Sequence, residues 1–117
     1  MRSITKHLGG VSLNVAVGAD EPDMSGASHL YEGTMDGNPC IRVQFQKGPR
    51  ADPASIPGAS DEALIAIVID RLEGFQAGPF RCRENDLALT KMEEALHWIQ
   101  SRARERHARG VLGKNIK

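Results

Sequence analysis

One dipeptide, Gly78-Pro79, interrupts an otherwise almost continuous helical pattern running from Ser60 to Val111. Proline has no backbone N–H to donate and its ring clashes with the preceding turn, so a helix that reaches Gly-Pro stops there. The stretch therefore predicts two helices joined by one short connection. The first should start at Ser60, whose hydroxyl caps free N–H groups, with Asp61 and Glu62 facing the positive end of the helix dipole. Ala63 to Ile69 form an apolar run that Leu72 and Phe75 continue. A helix apolar on nearly every side is expected to be buried. The run is too short to cross a bilayer, which needs ~20 apolar residues.

The second helix is expected from about Arg83 to Ala108. Ala88, Leu89, Met92, Ala95, Leu96, Ile99 and Ala103 follow the three-four spacing of a single stripe. Glu84, Asp86, Lys91, Glu93, Glu94, Gln100 and Glu105 fall mostly off it. Heptad steps from Met92 lead back to Asn85 and forward to Ile99 and Arg106, with Arg102 one turn earlier. The apolar seam thus begins with an amide and ends with two guanidinium groups. Paired antiparallel with a second copy, it would set Asn85 of one chain near the arginines of the other. Taken alone, arginines at a helix end are ordinary caps on the negative end of the dipole, and an asparagine at a helix start is an ordinary cap too.

A chain of 117 residues has room for one domain with one modest core. Fifteen basic residues balance fifteen acidic ones, yet Arg102, Arg104, Arg106, Arg109, Lys114 and Lys117 oppose only Glu105 near the carboxyl end. Neutrality argues against binding long nucleic acid, which calls for a broad basic face. A local cationic cluster suits a small phosphate-bearing ligand instead. Cys40 and Cys82 have no metal-site spacing and read as reduced thiols of a cytosolic protein. With no signal peptide or membrane segment in the pattern, the expected location is cytoplasmic.

The amino-terminal half reads as sheet. Ile4, His7 and Leu8 precede the turn Gly9-Gly10, after which Val11, Leu13, Val15 and Val17 alternate with small or polar residues. Residues 18–26 are polar and turn-rich, Ser28 to Met35 predict a third strand, Asp36-Gly37-Asn38-Pro39 a turn, and Cys40 to Gln46 a fourth strand. The segment from Gly48 to Gly58, with three of the six prolines, is an irregular connection. The expected architecture is α+β within a single domain: a β-rich part (1–49), a connection (50–59), a helical hairpin that mediates oligomerisation (60–110) and a tail (111–117). The first helix would cover the sheet's apolar face, leaving the stripe of the second exposed for self-association.

No enzymatic constellation stands out. His7, His29, His97 and His107 are scattered, with no zinc-protease motif, nucleophile elbow or phosphate loop. His29, near Tyr31 and Glu32, fits a structural histidine better than an acid-base group.

The run from Glu62 to Val111 resembles the helical hairpin of phage anti-defence sponge proteins. With Gly26–Glu32 (GASHLYE) and Val43–Pro49 (VQFQKGP), nearly the whole chain is similar to the first Thoeris anti-defence family. The most specific parts are FQAGPFRCREN, from Phe75 to Asn85, and RERHARGV, from Arg104 to Val111. The hairpin by itself is shared with anti-CBASS sponges. Ala77, small where relatives carry a longer side chain, and the final Lys-Asn-Ile-Lys depart from the pattern. The resemblance implies a protein of the infected bacterial cell that binds glycocyclic ADP-ribose, the signal made by TIR enzymes of Thoeris, and holds it intact. It also implies dimers that assemble into hexamers, no cofactor, and, in some members, a separate site for cyclic di- or trinucleotides. The family's signal pocket carries over onto Phe75, Asn85, Arg102 and Arg106. Phe75 would stack on adenine, Asn85 would bond a ribose hydroxyl or base edge, and the two arginines would clamp the diphosphate. The competing reading is a structural or nucleic-acid-interacting phage protein whose basic helix end contacts phosphates.

Overall fold

The computed structural model describes residues 1–10 and 14–110. Val11 and Leu13 of the alternating pattern, Val111 and the tail lie outside them. The chain forms two compact units: residues 1–48 with 54–59, and residues 49–53 with the segment that starts at Ser60.

The first unit is an antiparallel four-stranded meander. Strands β1 (Arg2–Ser3), β2 (Val15–Ala19), β3 (Leu30–Met35) and β4 (Asn38–Gln44) lie side by side in chain order. Two expectations are corrected here. No strand continues to Gly9-Gly10, because Thr5–Leu8 close a single 3-10 turn. The Thr5 hydroxyl accepts from the Val17 N–H at 3.0 Å and thereby takes the place of a ladder partner. The turn after β3 is also tighter than four residues. Asp36 and Gly37 both have positive φ, 51° and 80°, the signature of a two-residue hairpin turn that matches strand twist. Asn38 and Pro39 consequently join β4, where proline is tolerated because the strand is an edge and the ladder slips at Gly33/Thr34. Gly33 is buried, and a Cβ there would overlap the Ile41 side chain.

The polar loop before β3 is closed by its own side chains. Asp20 Oδ1 accepts from the N–H groups of His29 (2.9 Å) and Leu30 (3.2 Å), while the buried Ser28 hydroxyl donates to the Asp20 carbonyl (2.6 Å). Asp23 accepts from the Ser25 N–H (2.8 Å) and meets His29 Nε2 at 2.7 Å. His29 is therefore a loop clasp.

The second unit is an antiparallel pair of helices, α1 (Asp61–Ala77) and α2 (Arg83–Ala108), packed along each other. The Ser60 hydroxyl caps α1 by accepting from the Ala63 N–H at 3.2 Å. The predicted burial of α1 does not occur. No residue of either helix is buried, and Ile67 is 57% and Phe75 38% exposed. The stripe of α2 differs from expectation in the opposite sense. Leu89, Met92, Ala95, Leu96, Ile99 and Ala103 are half-buried, and the bare apolar side chains of the hairpin are Ile67, Val68, Phe75, Phe80, Leu87 and Trp98. Among the described residues the buried apolar side chains reduce to Ala19, so the modest core expected from the length is not seen among them. No helix among the described residues is long and apolar enough to cross a membrane.

The loop clasp gives a pH signature. Hydrogen bonds from the Ser25 hydroxyl and then the Ser25 N–H, with His29 adding, hold the Asp23 carboxyl below its ordinary 3.8, at about 2. A depressed folded value stabilises the loop above the unfolded value and ceases to do so as pH falls through the folded one. The Ser25 amide proton should titrate near pH 2 in NMR spectra of the native chain, and Asp23→Asn should flatten that response.

Candidate functional site

The turn between the helices is built by the residue pattern around Gly78-Pro79. Helix α1 ends as the Gly78 N–H bonds the Phe75 carbonyl at 3.2 Å, and Gly78 itself is extended. Gln76, in the last turn of α1, then ties the two helices together. Its Nε2 donates to the Cys82 carbonyl (2.9 Å) and to Asp86 Oδ1 (2.6 Å), and its Oε1 accepts from the Cys82 N–H (3.0 Å). One side-chain amide thus satisfies both the donor and the acceptor of the residue that caps α2, whose own side chain makes no cap bond. Gln76 escaped the sequence reading because a lone glutamine breaks no periodicity. Its signal is position, in the last turn before a Gly-Pro stop.

Phe75 and Asn85 sit at this turn end of the hairpin. The Arg71 guanidinium lies 5.3 Å from the centre of the Phe75 ring, within cation–π range. Asn85 is half-buried in the first turn of α2. Arg102 and Arg106 lie at the other end, one turn apart, Arg102 exposed and Arg106 half-buried. Arg109 pairs with Glu105 at 3.4 Å, and Arg104 is exposed.

The arginine end contains a cleft of about 460 Å³ lined by Asp61, Glu62, Trp98, Ile99, Arg102, Ala103 and Arg106. The first turn of α1 thus contributes two carboxylates beside two guanidinium groups. Asp61 and Glu62 were legible only as helix-dipole partners, since nothing in the sequence says that the start of α1 lies beside the end of α2 until the hairpin is closed. Trp98 was missed because it lies off the apolar stripe; it is 70% exposed and touches the His97 ring edge-on at 5.3 Å.

The four site residues therefore fall into two pairs. From Asn85 to Arg102, α2 rises about 25 Å at 1.5 Å per residue, too far for both to touch one small molecule within a protomer. The hairpin thus presents two separated groups of different chemistry: a flat ring with an amide at the turn, and forked cations with carboxylates at the far end. Among the described residues no group of three or more His, Cys, Asp or Glu is arranged to hold a metal, and Cys40 and Cys82 are exposed free thiols.

Residues 38–104 match the family model described as the Acb2/Tad1 hairpin domain. The matched span includes Phe75, Asn85 and Arg102 and stops just before Arg106. Over 75 residues the chain is 49% identical to Thoeris anti-defense 1 of Bacillus phage SBSphiJ7, covering 64% of this chain and 52% of that one. The chain thus spans about half the length of that curated relative.

The Gln76 bonds make the turn testable without touching either group. Gln76→Ala removes three hydrogen bonds, each contributing on the order of 0.5–1.5 kcal/mol net, and should lower hairpin stability by roughly 1.5–4.5 kcal/mol. Urea unfolding followed by helical circular dichroism measures the change.

Proposed function

The chain belongs to the Acb2/Tad1 hairpin-domain family, and from that premise we propose that it is a phage anti-defence protein that sequesters the glycocyclic ADP-ribose signal of Thoeris without degrading it. The observation that carries this reading is the separation of two complementary half-sites onto the ends of one hairpin. Two hairpins laid antiparallel would bring Phe75 and Asn85 of one copy to Arg102 and Arg106 of the other. Each junction would then hold a ring for a base, an amide for a hydroxyl or base edge, and two guanidinium groups for a diphosphate. A symmetric pair of copies makes two such junctions at once, because a two-fold interface repeats every contact. The bare apolar side chains of α1 give the copies a reason to associate.

The same cleft weighs against the nucleic-acid reading. Asp61 and Glu62 line it together with the arginines, and carboxylates beside a phosphate track oppose the charge matching that such binding requires. No acid-base or nucleophilic set is proposed, so the bound signal should leave as it entered. The test is to incubate the protein with glycocyclic ADP-ribose, remove free ligand, heat-denature, and assay the supernatant. Intact signal by mass spectrometry, with recovered effector activation, is the expected result; a linear or hydrolysed product would overturn sequestration.

Two variants examine the parts. Arg102→Ala with Arg106→Ala removes charged hydrogen bonds of about 1.5–3 kcal/mol each and should weaken binding by roughly two or more powers of ten in calorimetry. Ile67→Glu places a charge on an exposed apolar position of α1, so the protomer should keep its helical spectrum while its mass by light scattering falls to that of a single chain.

A further inference from the structure

We infer that Trp98 is a base-stacking platform, so that the arginine end of the hairpin holds the nucleobase of the signal as well as its diphosphate. The inference rests on the signal-binding reading and concerns which side chains meet the base. Trp98, Arg102 and Arg106 are spaced by four residues on α2, which sets them one above another along one side of the helix. All three line the same cleft.

Packing does not account for Trp98. It lies off the half-buried stripe, and the residue is 70% exposed, with the His97 ring edge-on to it. A bare indole next to a pair of guanidinium groups is the combination that grips nucleotides, since the ring offers a face to a base while the fork takes phosphate oxygens. One helical turn is close to the separation of base and 5′-phosphate in a nucleoside phosphate. Asp61 and Glu62 complete the chemistry. As carboxylates they only accept hydrogen bonds, so they suit ribose hydroxyls and oppose additional phosphate groups. The cleft therefore fits a nucleoside joined to a short phosphate bridge better than a bare polyanion. In an antiparallel pair of copies the second face of the base is left for Phe75 of the other chain.

The chain contains a single tryptophan, so its emission reports this position alone. Titration with glycocyclic ADP-ribose should quench that emission in step with the calorimetric isotherm, whereas inorganic pyrophosphate should engage the arginines and leave it unchanged. Trp98→Ala should weaken the signal about 10- to 100-fold without altering pyrophosphate affinity or the mass of the assembly, and Trp98→Phe should restore most of the loss. Calorimetric binding with unmoved emission and a Trp98→Ala variant of native affinity would overturn the platform and leave the signal-binding reading standing. A Trp98→Ala variant that loses assembly instead would make Trp98 an interface residue and overturn the platform too. An absence of any heat with the native chain would overturn both.

Discussion

Everything proposed for this molecule depends on how tightly the hairpin turns. Gly78-Pro79 forces α1 to stop, but stopping a helix does not decide where the chain goes next. The Gln76 amide does that. By serving the N–H and the carbonyl of Cys82 together and reaching Asp86 as well, it fixes the first turn of α2 against the last turn of α1. From that register follows that Asp61 and Glu62 line the same cleft as Arg102 and Arg106 at the far end of the helices. A slip of one turn at the connection would shift these charges by roughly 5 Å along the axis and separate them.

The second constraint is a shortage of interior. Burial of apolar area is the main stabilising term in folding, yet the helices bury no residue, and Ala19 is the buried apolar residue among those described. The apolar run Ala63–Ile69 of α1 leaves Ile67 and Val68 uncovered. If a second copy supplies that cover, ligand pocket and stable assembly are one event. Ligand that bridges two copies would then also strengthen their association, by the mass-action linkage that stabilises whichever state binds.

Periodicity made the helices legible almost to the residue. Arg83 to Ala108 follows from the three-four stripe, and the Ser60 cap with its acidic neighbours is the start signal of α1. The number of strands was legible, but the place of the first strand and the edges of the others were not. Thr5 borrowing the Val17 amide and the two positive-φ residues Asp36 and Gly37 are turn-scale choices that hydrophobic pattern does not encode. Burial was misread because a run such as Ala63 to Ile69 reports the wish to be covered and not the identity of the cover. Of the candidate site residues, Asn85, Arg102 and Arg106 were reached from heptad spacing and resemblance together, and Phe75 from the resemblance alone. Gln76, Asp61, Glu62 and Trp98 needed the two helices to be folded against each other first.

The mixed-charge cleft has a kinetic consequence. A scavenger with a strongly positive face would draw a phosphate ligand in quickly, since a net field of the right sign raises the encounter rate. Here fifteen basic residues offset fifteen acidic ones, and Asp61 and Glu62 stand beside the very arginines that would do the drawing. If the chain captures such a ligand, long-range attraction would add little to the encounter rate, and capture would change little with ionic strength. On the proposed reading, competition with an effector for the same molecule would then be won on residence time, by a ligand enclosed between two copies that would have to part before it could leave.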